Sequence, residues 1–347
     1  MASIPTFTPP WYLTSGLAMT AYIAQVASQT WESTTQLTEP IYQGHVFSGA
    51  QHVPIYGEWA VPSQPRGTLI GTYGITGSLD NQWYLKLLGR KAIAAQYAVV
   101  LVDWRAHGKT AELSPTLTSD GLYEGDDFVY IAAQAKALGC PPPFWFTGYS
   151  LGGQLALWGI KAAQSLDIAN LSSDEIGGGA VICPSLDSER SLRYLTAHPV
   201  GRFIEQGIAQ KLQQLAWQLH QQHPGKFEPA AIERANSIWQ FDEELVISRL
   251  GFDTVADYYA ASSPLPLLPR LHKPTLILYA ADDPLFAPTL VSDLKTACAY
   301  NPHIDLYLTS SGGHVGYVSS AAGQAEAGDP DCWWAWNRIL AWCHRHS

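Results

Sequence analysis

The chain of 347 residues is 47% hydrophobic and only 14% charged, against roughly 25% charged in an average soluble protein. That balance excludes a disordered chain, a coiled coil and a collagen-like repeat, and the length suffices for one large or two small domains with a sizeable core. A formal charge of -10 without a Lys/Arg cluster excludes a nucleic-acid binder with a basic face and disfavours an anionic membrane surface.

In chain order, Pro9-Pro10 opens the sequence and the first basic residue is Arg66. A secretory signal needs a positive start, so the expected location is the cytoplasm. Trp11 to Trp31 is apolar, but Thr14, Ser15, Thr20, Gln25 and Ser28 interrupt it, which is too polar for a spanning helix. The segment 9–32 therefore reads as helix packed on the protein body, with peripheral membrane contact as the minority view. Residues 41–61 read as two strands with a turn near Ser48-Gly49-Ala50.

Short continuous apolar runs follow at Thr68-Tyr73, Ala98-Trp104, Phe144-Thr147, Ala180-Cys183, Thr275-Tyr279 and Ile304-Leu308. Such runs suit strands buried on both faces of a parallel sheet. Helical patterns near 80–95, 121–138, 151–166 and 289–300 lie between them, and this alternation predicts an α/β fold with right-handed winding. Residues 185–262 break the rhythm. Ile204, Ile208, Leu212, Leu215, Ala216 and Leu219 mark a helical stripe there, and Ala230–Trp239 and Asp242–Leu250 read as further helices. Inserted between two strands, the segment is expected to cap one end of the sheet. The predicted domain has a core at 40–184 and 263–347, a mostly parallel sheet of about eight strands, helices on both faces and this helical cap. Thirteen Trp and seventeen Tyr suit aromatic walls of a core or a pocket.

The five cysteines, Cys140, Cys183, Cys298, Cys332 and Cys343, are odd in number and include no CxxC. Neither a disulfide framework nor a zinc knuckle is suggested, and a reducing compartment is the default. The terminal Cys343-His344-Arg345-His346 reads as a frayed tail rather than a metal site.

Gly148-Tyr149-Ser150-Leu151-Gly152-Gly153 fits G-x-S-x-G between the apolar run Phe144-Phe146 and the helical pattern Leu155-Ile160. A strand–turn–helix context of this kind pushes a serine hydroxyl into the open, with glycines leaving room for neighbouring backbone. A serine hydroxyl needs a base, and the base needs an orienting carboxylate. Two loops after later strands supply them in the order acid, then histidine. Ala280-Ala281-Asp282-Asp283-Pro284 follows the run at 275–279, and Ser311-Gly312-Gly313-His314-Val315-Gly316 follows the run at 304–308. His314 alone among the eleven histidines sits in a Gly-rich loop directly after the last strand, and His107 in Asp103-Trp104-Arg105-Ala106-His107-Gly108 reads as part of a structural loop. Chemistry alone does not separate Asp282 from Asp283. The loop form G-x-x-D-P-x-x-P favours Asp283 as the acid and Asp282 as a loop or helix-start cap. Backbone donors for a developing oxyanion are expected from Leu151 and from Ile75 in Tyr73-Gly74-Ile75-Thr76-Gly77-Ser78.

With these motifs in place the chain resembles the α/β-hydrolase superfamily, and more narrowly its YheT-like (AB hydrolase 4) branch. Pro9-Pro10-Trp11-Tyr12-Leu13, the 73–78 loop, the run from Asp242 through Gly251-Phe252, Asp257-Tyr258-Tyr259 and Ser263 to Pro274 and Asp282-Asp283, and Gly312-Gly313-His314-Val315-Gly316 carry the resemblance. Two residues depart from it: Tyr73 stands where the branch usually has His, and Leu271 where it has Ile or Val. The resemblance implies hydrolysis of carboxylic esters with Ser150, His314 and Asp283 as a triad and with no cofactor or metal. The expected partner is a small ester with a hydrophobic acyl chain, and no nucleic acid. Acyl transfer or thioester hydrolysis by the same residues, a catalytically silent ligand-binding homologue and a membrane-anchored lipid-handling protein are the rival expectations.

Overall fold

In the computed structural model, which describes residues 5–347, the apolar runs become eight strands of one sheet. They are β1 (Gln43–Ser48), β2 (Pro54–Ala60), β3 (Thr68–Thr72), β4 (Ala98–Val102), β5 (Phe144–Tyr149), β6 (Ile176–Ile182), β7 (Thr275–Ala280) and β8 (Ile304–Thr309). Their spatial order is β1-β2-β4-β3-β5-β6-β7-β8. Only β2 runs against its neighbours. β3, β4 and β5 are buried along their whole length, which explains why they read as unbroken apolar runs, whereas the edge strand β1 buries only Phe47. The turn expected between the first two strands is a single helical turn, Ala50–His52.

The predicted helices lie at Trp83–Ala94, Glu124–Ala137, Leu151–Ala162 and Leu290–Ala299. Ile176–Ile182 starts earlier than the expected run at 180, because Gly177-Gly178-Gly179 carries no apolar side chain. Those glycines are required by packing: an added Cβ at Gly177 would stand 2.7 Å from the Trp145 ring and one at Gly179 2.4 Å from the Phe146 carbonyl.

Between β6 and β7 the chain is helical, with the 24-residue helix Pro199–Gln222 as its longest element. The pattern expected as one helix over 230–239 is two, Pro229–Arg234 and Ile238–Phe241. Ser237 starts the second by accepting the Gln240 N–H, a serine N-cap in the usual geometry. This insertion packs around a second apolar cluster, in which Leu212, Ala216, Leu219, Phe227, Ile232 and Phe241 join Ala106, Ala111 and Leu117 from the segment after β4.

The N-terminal segment is helical from Gly16 to Thr34, with a wide π-turn at Ile23–Ala27. Met19, Ile23, Ala27 and Trp31 are buried. A stripe at every fourth residue drifts around a 3.6-residue helix, and the wider turn keeps it facing the body. Among the described residues, no helix is long and apolar enough to cross a membrane.

The chain end corrects one expectation. Residues 343–346 are no frayed tail, because the helix Trp334–His346 runs to the penultimate residue with Cys343 fully buried. Trp334, Trp336 and Trp342 on this helix are also fully buried. Trp333 and Trp336 pack on Trp83 at ring separations of 5.1 and 6.1 Å, and Trp342 packs on Trp145 at 5.4 Å. Much of the tryptophan excess thus builds the core rather than a pocket.

Candidate active site

Ser150 ends β5 and caps the helix Leu151–Ala162, with φ 55° and ψ -124°. A non-glycine residue there carries strain of order 1–3 kcal/mol, held by its surroundings. The Ser150 N–H donates to Ile182 O at 3.1 Å, and its carbonyl accepts the Ser185 N–H at 3.2 Å, so the end of β6 locks the turn. The glycines of the motif are demanded by contact: a Cβ on Gly148 would sit 2.0 Å from Gly152 O, and one on Gly152 2.3 Å from Tyr73 O.

His314 follows β8. Its Nδ1 lies 2.8 Å from Asp283 Oδ2, and Asp283 Oδ1 accepts the Leu285 N–H at 2.9 Å. Asp282 turns elsewhere and accepts the Gly313 N–H at 2.9 Å; burial raises its pKa. The histidine loop reaches the serine turn through Cys183, whose Sγ approaches Gly313 O at 3.6 Å and which follows Ile182 directly. Phe286 packs its ring edgewise on His314 at 5.1 Å and lines the same cavity as Ser150.

Sequence patterns gave no sign that the N-terminal helix holds this loop. The His314 N–H donates to Thr20 Oγ1 at 2.8 Å, and the Thr20 hydroxyl donates to Gly16 O at 2.7 Å. An added Cβ at Gly313, where φ is +60°, would stand 2.5 Å from Gly16 O. Thr20 thus holds the backbone at His314 in place. Thr20→Val is expected to lower kcat about tenfold with little change in KM, since small misplacements of a reacting group cost at least that much. Thr20→Ser should restore the rate. Steady-state kinetics on any accepted ester checks both.

The loop after β3 lies beside Ser150, close enough that a Cβ on Gly74 would be 3.0 Å from the Ser150 Cβ. Its amides have separate fates. The Gly74 N–H donates to the Tyr84 hydroxyl at 3.3 Å, and the Thr76 N–H to His107 Nε2 at 3.2 Å. Among the described residues, no hydrogen bond engages the N–H of Ile75 between them, or that of Leu151 at the helix start. Both residues line the cavity with Ser150. Two unpaired amides, one at a helix N-terminus, are suited to receive negative charge.

His107 accepts from Thr76 because its ring is neutral. Nδ1 donates to Arg105 O at 2.9 Å, the ring stacks on Trp104 at 3.7 Å, and burial pushes its pKa down to about 4. Tyr73 is fully buried, and its hydroxyl donates to Asp103 Oδ1 at 2.5 Å, the oxygen that also accepts the Leu79 N–H at 2.8 Å. The tyrosine therefore anchors the loop from beneath, beside Ile75 in the cavity wall. Tyr73→Phe is expected to cost about 1–2 kcal/mol of stability, the loss of one buried charge-assisted hydrogen bond, read as a lower urea midpoint.

The family pattern described as "Alpha/beta hydrolase family" matches residues 75–327. The chain belongs to the alpha/beta hydrolase family. It is 57% identical over 99% of its length to the Synechocystis sp. protein named "Putative esterase slr0264", of which it covers 95%. It is 24% identical over 73% of its length to human "Phospholipase ABHD3", where the match spans 59% of that protein. With "Putative esterase YheT" of Escherichia coli it shares 28% identity over 49% of the chain, and 48% of that protein. The matches to YheT and ABHD3 support the expected YheT-like branch. Among solved structures, the Pyrococcus furiosus esterase Pf2001 superposes with a TM-score of 0.53 at 16% identity, covering 88% of this chain and 93% of that one, a likeness of fold alone.

Proposed function

We propose that this alpha/beta hydrolase cleaves carboxylic esters through an acyl-enzyme on Ser150. The observation that carries the reading is the Asp283–His314 pair at 2.8 Å, set on the rim that also holds a strained, cavity-lining serine. The esterase and phospholipase names of its relatives support the same bond class.

Ser150 Oγ attacks the acyl carbon while His314 Nε2 takes its proton. Asp283 accepts the Nδ1–H, keeps Nε2 free as the base and stabilises the imidazolium. The N–H groups of Ile75 and Leu151 bind the oxyanion, each donor worth about 3 kcal/mol in the transition state. His314 returns its proton to the leaving alcohol. Water, deprotonated by the same imidazole, then releases the acid and regenerates the serine. No step calls on a cofactor. The helical segment 185–262 acts as a cap, whose Leu192, Leu195, Ile208, Leu212 and Leu215 line a cavity of about 130 Å³ next to Ser150. These aliphatic walls suit a hydrophobic acyl chain.

A fluorophosphonate probe followed by peptide mapping tests the reading. Label is expected on the peptide carrying Ser150. Ester turnover with the label on another residue, or no turnover and no label on folded protein, would sink it.

A further inference from the structure

We propose that the cavity beside Ser150 contains a hydroxyl-binding element, built by Asp120, Asp242, Ser191 and Trp104, which selects esters carrying a hydroxyl on the portion buried there. This rests on the ester-hydrolase reading and specifies its substrate class. Asp242 belongs to the run that carries the family resemblance, yet the triad gives it no role.

All four residues line the cavity that Ser150, Ile75 and Leu151 also line. Their exposures are 7% for Asp120, 7% for Asp242, 6% for Ser191 and 3% for Trp104. Buried polar groups are normally paired, and these are paired only in part. Trp104 Nε1 and Ser191 Oγ have no hydrogen-bond partner among the described residues. Asp242 accepts the Tyr259 hydroxyl on Oδ2, and Asp120 accepts the Thr118 hydroxyl on Oδ1 at 3.3 Å. The second oxygen of Asp242 accepts nothing among the described residues, and the Tyr258 hydroxyl lies within hydrogen-bonding reach of the Asp120 carboxylate.

No Lys or Arg lines the cavity. The nearby Glu124 is occupied by Ser119 and the Gly121 N–H, and His107 is neutral. Burial, then the charge of Glu124, raises the pKa of Asp120; burial, then the charge of Asp120, raises that of Asp242. The remaining walls are mostly aliphatic.

The unpaired set contains acceptors in the carboxylates, a donor in the indole N–H and a group that does both in the serine. A ligand hydroxyl answers all three, donating to a carboxylate while accepting from the indole or the serine. An ammonium would leave the indole donor unmatched, a carboxylate would be repelled, and a plain alkyl chain would offer none of these groups a partner. Sites built to hydrogen-bond a substrate hydroxyl discriminate strongly against analogues that lack it.

The test is a panel of para-nitrophenyl esters of equal chain length: the parent octanoate, octanoates hydroxylated at successive positions from mid-chain to terminus, and the terminal ammonium and carboxylate analogues. At least one hydroxy ester is expected to exceed the parent in kcat/KM by about tenfold. Asp242→Asn should shrink that advantage about threefold or more, because its one carbonyl oxygen is held by Tyr259 and its other atom becomes a donor. Ser191→Ala, which alters only one buried hydroxyl, should shrink it too and serves if Asp242→Asn does not fold. Parent turnover with no hydroxy advantage, an ammonium ester as best substrate, or an advantage unchanged in both variants overturns the proposal alone. No turnover of any ester together with no fluorophosphonate label on Ser150 overturns the ester-hydrolase reading, and the proposal with it.

Discussion

Ser150→Ala is expected to lower kcat on any accepted ester by about a millionfold, with KM nearly unchanged and fluorophosphonate labelling abolished. The size follows from the unit behaviour of a nucleophile and its base: removing the hydroxyl strands His314 with no proton to take, and only binding and the oxyanion donors remain, worth about 10³–10⁴ over water. Stability should change little, because the φ of 55° at this position persists in the variant. An alanine variant that retains more than about one-hundredth of wild-type kcat, after purification free of wild type, would remove Ser150 from the reaction.

How much of this was legible in the sequence follows from how local each determinant is. The strands β3, β4, β5 and β7 could be read because a strand buried on both faces needs apolar residues without interruption, and Ala98–Val102 is such a run. The serine turn could be read because strand, nucleophile and helix are contiguous, and the glycines at 148 and 152 leave no room for a Cβ. Gly177-Gly178-Gly179 hid the start of β6, since the close approach of Trp145, Phe146 and Pro274 that demands glycine is invisible to a hydropathy pattern. The C-terminal helix was missed for a related reason. His344, Arg345 and His346 made its end look solvated, while the burial of Cys343 and Trp342 depends on Trp145 far upstream.

The long-range contacts of the site were the illegible part. Thr20 reaches His314 across 294 residues, and nothing in either local pattern signals the other. His107 reads as a structural loop residue, yet it lines the cavity and occupies the Thr76 amide, while the neighbouring Ile75 N–H has no partner among the described residues. Tyr73, a departure from the family pattern, is accommodated because Asp103 sits beneath it to accept its hydroxyl. Asp120 and Asp242 gain their character only from being brought together by the fold, one from the loop before the helix Glu124–Ala137 and the other from the segment inserted after β6.

Adjacent residues pose the sharpest case, because Asp282 and Asp283 differ by one position and share a chemistry. At the end of a strand, consecutive side chains diverge: Asp283 Oδ2 meets His314 Nδ1, while Asp282 Oδ1 meets the Gly313 N–H. Asp283→Asn is expected to lower kcat by about 10⁴ with KM little changed. An asparagine whose amide faces Nδ1 selects the tautomer that carries its proton on Nε2, so the imidazole can no longer accept the serine proton. Asp282→Asn keeps a carbonyl oxygen for the Gly313 N–H and should hold kcat within about threefold, because a neutral acceptor replaces a charged one in a single hydrogen bond. Its stability should change by no more than about 1 kcal/mol, since burial already disfavours the charged form of this carboxyl. Kinetics of the two variants on one ester decides the assignment: a dead Asp282→Asn beside an active Asp283→Asn would transfer the acid's role to residue 282. If both variants were dead, the carboxylates would act as a unit, with Asp282 holding the histidine loop through Gly313. Asp282→Glu, which retains the charge but displaces it, would then fail to restore the rate.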